Sequence, residues 1–291
     1  MKRLSICLLG IALFASCKEK DIIVNGSGSV VSSNDTAYTA AIEKATPKKI
    51  LIEEFTGASC TGCPAAREIL KGIDAKYPDR LIKIEMHPNN NPTGGPIKNL
   101  SKYDFRNQHV TDIINAHYGG ALVFIPVGGI DRMQLNGTRQ IDRDFWSGTI
   151  DERIKATSVV NLKLTNSYDA AKGEGTVRVK TAYTKTITGK QFISVAIIEN
   201  DVVDAQKYPT NIDTFYNFKH VLRKLVTPVS GVEILSTIST KEAGRVFEGN
   251  FSYKIDAAWK PENCELVVFL HNNLGEEKEV LQAEEIKVKT P

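Results

Sequence analysis

Cysteine is scarce in this sequence, with five in 291 residues, at positions 7, 17, 60, 63 and 264. So few cysteines exclude a disulfide-dense miniature scaffold. A single C-x-x-C with no second copy does not supply the four thiolates of a zinc knuckle. The histidines at 87, 109, 117, 220 and 271 are scattered, so no metal is expected. His109 and His117, eight apart, read as part of a solvated helix surface. Net charge is nearly absent as well. It is +3 over the whole chain, and +1 once Lys2 and Arg3 are set aside with the leading segment. No Arg-rich strip adds to it, so the electrostatic footprint of a nucleic-acid binder is missing. The sequence also lacks an apolar run long enough to span a bilayer, an internal repeat and any low-complexity tract beyond one spacer.

What is present begins with an address. "MKR" is a short basic start, "LSICLLGIALFA" is an apolar run of signal-peptide length, and "FASC" places small residues just before Cys17. This resembles a bacterial lipoprotein signal, which implies removal of residues 1–16 and lipidation of Cys17. The "CKEKD" that follows resembles the surface-export signal of Bacteroidota lipoproteins. The folded part is then extracytoplasmic, where disulfides form and persist. Residues 17–47, rich in Ser, Gly, Asn, Thr and Ala, read as the lipidated cysteine and a flexible spacer ending at Pro47.

Beyond the spacer the periodicity divides the chain. "KKILIEEFT" reads as a buried strand. In "AAREILKGIDAKYP" the apolar residues Ala66, Ile69, Leu70, Ile73 and Tyr77 predict a helix that stops before Pro78, and "RLIKIEM" predicts a second strand. Strand, helix, strand forms a βαβ-like unit with the cysteines at its first turn. Residues 88–119 read as a loop and a mostly polar helical insertion. "ALVFIPVGGIDR" resumes strand character, and "DFWSGTIDERIKA" predicts a helix closing a domain over 48–157. From Val159 the period becomes two. Seven strand-like runs, from "VVNLKLT" to "VLQAEEIKV", predict an all-β sandwich over 158–291.

The pair Cys60-Thr61-Gly62-Cys63 carries the chemistry. The first cysteine stands at a helix start and the second one turn inside, followed by Pro64 at a position where a missing N–H costs nothing. Free N–H groups and the helix dipole favour a thiolate on Cys60. Lowering its pKa from about 8.5 to about 7 raises the thiolate fraction at neutral pH from a few per cent to about half, roughly 2 kcal/mol. A c-type haem would require His at position 64, and no cofactor is expected.

"ILIEEFTGASCTGC" before a helix resembles the active-site strand and turn of thioredoxin-like proteins. That resemblance implies a thiol–disulfide exchange site. Cys60 would be the nucleophile, Cys63 the resolving thiol and Glu54 a buried acid that helps move its proton. "FIPV" resembles the cis-proline loop of the same proteins, which implies a substrate-binding role for Pro126 and the preceding Ile125. The chain departs from the pattern in carrying Ser59 where Trp is usual and Thr61-Gly62 in place of Gly-Pro. As a whole it is similar to the 28-kilodalton outer-membrane-protein-related lipoproteins of Bacteroidota, through its lipoprotein start, "LIEEFTGASCTGCP", "IPVGGIDR" and a β-rich second half. That implies an α/β thioredoxin-like domain followed by an all-β immunoglobulin-like sandwich, anchored to the outer membrane on its periplasmic or surface face. Two functions stay open. One is thiol–disulfide exchange on extracytoplasmic protein partners, and the other is a binding or adhesive surface protein with a permanent Cys60–Cys63 disulfide. Cys264 reads as an inert buried thiol, Trp259 as core or strand-edge packing and Arg132 as an exposed, salt-bridging arginine.

Overall fold

A computed structural model describes residues 31–32 and 36–289. The signal segment and Cys17 lie outside these residues. The first buried strand, β1 (Ile50–Phe55), has no exposed position. Its apolar run is covered on both faces, which is why it reads as continuous hydrophobicity broken only by Glu53 and Glu54. It pairs in parallel with β2 (Leu81–Met86) and antiparallel with β3 (Val127–Ile130).

Between β1 and β2 runs helix α1 (Cys63–Lys76), with Pro64 in its first turn. Ala66, Leu70 and Ile73 pack it on Ile50 and Ile52, together with Trp146 and Ile150 of α3 (Trp146–Arg153). The helix closes at Tyr77, whose N–H donates to the Ile73 carbonyl, one residue before Pro78. On the other face lies α2 (Gln108–His117), capped by the Asn107 side chain, which accepts from the Val110 N–H. Only this part of the expected 88–119 insertion is α-helical. A single 3₁₀ turn at Pro92–Gly94 and irregular chain make up the rest.

All seven strand runs read from the second half are present, as β4 (Val160–Asp169), β5 (Glu174–Tyr183), β6 (Gln191–Glu199), β9 (Val221–Leu225), β10 (Arg245–Lys254), β11 (Cys264–Asn272) and β12 (Val280–Lys287). They form two facing sheets. In one, β5 lies between β4 and β10. The other has the order β12-β11-β6-β9 and does not stop there. Val221 of β9 pairs in parallel with Glu85 of β2, and the Glu85 N–H donates to the His220 carbonyl at 2.7 Å. One sheet therefore crosses the boundary placed near residue 157. Strand β6 shows how: Ile193, Val195 and Ile197 face the second sheet, while Ala196 and Ile198 join the layer beneath α2.

Two features differ from the sequence reading. The end of the expected spacer is docked: Tyr38–Thr39 pairs with β10, and the Thr46 N–H donates to Asn161 at 2.9 Å. A further hairpin, β7 (Val202–Lys207) and β8 (Ile212–Phe218), stands off both sheets and reaches the cysteine turn.

Close packing above β3 depends on glycine. A Cβ at Gly129 would lie 1.8 Å from the Tyr118 hydroxyl, which is held in place by a 2.5 Å bond to Glu53. Gly129→Ala is expected to destabilise the fold by about 2–4 kcal/mol, measured by denaturant unfolding. A change under about 0.5 kcal/mol would show that Tyr118 yields freely.

Candidate functional site: the Cys60–Cys63 turn

Strand β1 runs directly into the turn that carries both cysteines. Gly57 lets the 92–94 loop pass close by, since a Cβ there would lie 2.1 Å from the Thr93 carbonyl oxygen. The Ser59 N–H donates to the Gly95 carbonyl at 3.2 Å, and the Cys60 N–H to that of Gly57 at 3.2 Å. Cys60 and Cys63 form a disulfide, with sulfurs 2.03 Å and Cα atoms 5.5 Å apart. Cys63 is fully buried, Cys60 is 4% exposed and Thr61 between them is open to solvent.

Pro126 arrives from a distant loop, and the Ile125–Pro126 bond is cis. It packs on the turn, with its Cδ 3.4 Å from where a Cβ on Gly62 would stand. Ile125 is half-buried against the layer beneath α2. Arg143 closes the other side, donating to the Gly62 carbonyl at 2.9 Å.

Glu54 is 2% exposed and its neighbour Glu53 1%. The two point to opposite faces of β1. Glu53 accepts from two of the three Arg132 guanidinium nitrogens, Nε and Nη2, at 2.7 Å and from the Tyr118 hydroxyl. The expectation of an exposed Arg132 is therefore wrong: it is 2% exposed, because Glu53 offers a buried, bidentate partner. His117 is also corrected. It is 2% exposed, with Nε2 3.0 Å from the Val229 carbonyl, whereas His109 is half-buried.

Glu54 sits opposite Glu85 on β2. Burial, and then the Glu85 charge, push its pKa up to about 8, against the opposing pull of Arg67. Glu85 is also raised by burial but keeps the Arg67 guanidinium, at 2.9 Å. Glu54 therefore holds the proton of the pair at neutral pH. A carboxylic acid poised near neutrality can both take and give a proton. Because its folded pKa lies above the unfolded one, its contribution is fully present below about pH 4.5 and is lost as pH rises through about 8. Glu54→Gln should flatten that dependence, gaining on the native protein by a few kcal/mol between pH 5 and 8 in denaturant unfolding. Parallel pH profiles for the two proteins would contradict this assignment.

Arg67, four residues past Cys63, was not singled out from the sequence, yet it joins the site together. Besides Glu85 it donates to the Thr56 hydroxyl at 3.0 Å and to the Gln206 carbonyl oxygen at 2.8 Å. Its guanidinium lies 5.2 Å from the Tyr216 ring centroid and 5.1 Å from that of Phe218, both on β8. Gln206 in turn donates to the Cys60 carbonyl at 3.1 Å. Spacing alone could have flagged Arg67, because a cation on the buried face of α1 requires a buried acid. Gln206 had no such local signal.

The remaining candidates stand apart. Cys264 is fully buried in β11 and burial pushes its thiol up to about 12, which leaves it unreactive. Trp259 is half-buried at the edge of the core between the facing sheets. Among the described residues no group of three His, Cys, Asp or Glu is arranged to hold a metal, and no helix is long and apolar enough to cross a membrane. A concavity of about 530 Å³ between Tyr168 and Tyr253 has none of the site residues in its wall.

Residues 114–291 match the family model of the outer membrane protein Omp28, and the chain belongs to that family. Membership places it at the outer membrane. The matched stretch begins after Cys63, so the cysteine pair lies outside it. No curated protein matches the sequence. Among solved structures the chain is similar to HBP35 of Porphyromonas gingivalis, with 15% identity and a TM-score of 0.63 over 84% of this chain and 76% of that one. It is also similar to a protein of Agrobacterium tumefaciens, with 13% identity and a TM-score of 0.51 over 86% and 97% of the two chains. At these identities the likeness is one of fold.

Proposed function

We propose that this outer-membrane protein is a lipid-anchored thiol–disulfide exchange protein. A thioredoxin-like domain over 48–157 carries the reacting pair, and an immunoglobulin-like β-sandwich over 158–291 supports it. The observation that carries this reading is convergence: Cys60 and Cys63 share one turn at a helix N-terminus, and the cis Pro126 comes to it from a distant loop. In the reduced form the Cys60 thiolate attacks a partner disulfide, giving a mixed disulfide and a partner thiolate. The Cys63 thiolate then attacks Cys60 Sγ, reforming the Cys60–Cys63 bond and releasing the partner as a dithiol. Glu54 takes part in moving the Cys63 proton, and Pro126 with Ile125 lines the partner's seat. Reduction of insulin disulfides by the wild-type chain, with dithiothreitol as the electron source, tests this. Turnover well above the dithiothreitol background supports it, and background turnover sinks it.

A second reading has one observation in its favour. With Cys60 only 4% exposed, the disulfide could be a permanent staple in a binding or adhesive surface protein. Resistance of the bond to reduction in the folded protein would favour that alternative. The anchor has its own test: Cys17→Ser should release the protein from membranes into the soluble fraction, and unchanged membrane retention would contradict lipidation at Cys17.

A further inference from the structure

The β7–β8 hairpin lies far from the cysteines in sequence but holds their turn in space. Gln206 has no exposed surface. Its carbonyl oxygen accepts from Arg67, which fixes the orientation of the amide. Its Nε2 therefore faces the carbonyl oxygens of Gly57 at 3.3 Å, Ala58 at 3.1 Å, Cys60 at 3.1 Å and Lys207 at 3.0 Å. The next residue adds a backbone bond, from the Lys207 N–H to the Ala58 carbonyl at 2.8 Å. The hairpin is itself tied down. Asp204 accepts from the backbone N–H groups of Lys102 and Tyr103 at 2.9 Å, and Arg67 lies over the rings of Tyr216 and Phe218.

A turn that must stabilise a thiolate gains from having its carbonyl oxygens engaged elsewhere, because their partial negative charges oppose the developing charge on sulfur. The two N–H groups of the Gln206 amide are shared among three carbonyls of this turn, including that of Cys60 itself. The amide also links the turn to Arg67, and through Arg67 to Glu85 and the proton-bearing Glu54.

We propose that Gln206 is a positioning residue of the redox site: by binding the turn's carbonyls it sets the geometry in which the Cys60 thiolate forms. The sandwich half then supplies part of the site rather than only supporting it. This inference rests on the redox reading of Cys60.

The test is the rate of Cys60 alkylation by iodoacetamide as a function of pH, in the reduced full chain, for wild type and Gln206→Met. Methionine keeps the volume and removes the amide. The expected result is alkylation about fivefold slower at pH 7, with the profile displaced upward by about one pH unit. A purely structural role would lower the melting temperature and leave the profile where it is. A folded variant with the wild-type profile, alongside a wild type that reduces insulin, overturns the inference alone. A wild-type Cys60 that is inert throughout overturns the redox reading and the inference with it. Should Gln206→Met not fold, the wild-type protein still decides. The Gln206 side-chain amide resonance is expected to shift on reduction and to titrate with Cys60, and an amide signal unchanged by either overturns the proposal.

Discussion

Cys60→Ser is expected to reduce insulin-disulfide reduction to the dithiothreitol background, whereas Cys63→Ser should stall with its partner attached. The difference follows from the order of the two attacks. A serine hydroxyl at position 60 is not a nucleophile toward disulfides at neutral pH, so the first mixed disulfide never forms. With serine at 63 the first attack proceeds, but no thiolate stands one helical turn away to resolve it. The intermediate then accumulates as a band of higher mass on a non-reducing gel. Cys264 is no substitute, since it is fully buried in β11 with its thiol pushed far above neutrality. Equal residual activity in both variants, or adducts on Cys60→Ser, would contradict the assigned roles.

Arg67→Met should cost about 3–5 kcal/mol at neutral pH, the loss expected when one member of a buried ion pair is removed. Arg67 is the cation beside both Glu54 and Glu85, and its loss leaves two buried carboxyls facing each other. Both would then bind protons in the folded state well above their unfolded pKa. A raised folded pKa gives stability that is present at low pH and lost as pH rises, so the deficit should shrink toward pH 4.5 and widen toward pH 8. Denaturant unfolding at several pH values measures this. A pH-independent deficit would mean that Arg67 acts through packing on Tyr216 and Phe218 rather than through charge.

The parts of the site that follow local rules were legible in the sequence. Strand β1, the cysteine turn and α1 are contiguous, and their signals agree: a buried apolar run, Pro64 in the first turn, apolar spacing along the helix. The strands of the second half were legible for the same reason, as alternation between turns. What escaped depends on residues that meet only in three dimensions. Strand β8 has just one fully buried residue, Phe218, so it shows no apolar alternation, and β7 buries Asp204 and Gln206. Their burial makes sense only with the Lys102, Tyr103 and Cys60 backbone groups they bind. The burial of Arg132 has the same origin, because its partner is 79 residues earlier in the chain. The continuous sheet was hidden because it crosses between the halves through one register pair, Val221 with Glu85.

The central claim is that the Cys60–Cys63 bond opens and closes in function. Its most direct test is the reduction potential of the couple, obtained by equilibrating the folded chain with glutathione buffers and counting free thiols. The exchange reading predicts a value within the range of working oxidoreductases, about −270 to −120 mV. A potential well below about −300 mV would mark an inert structural bond and contradict it.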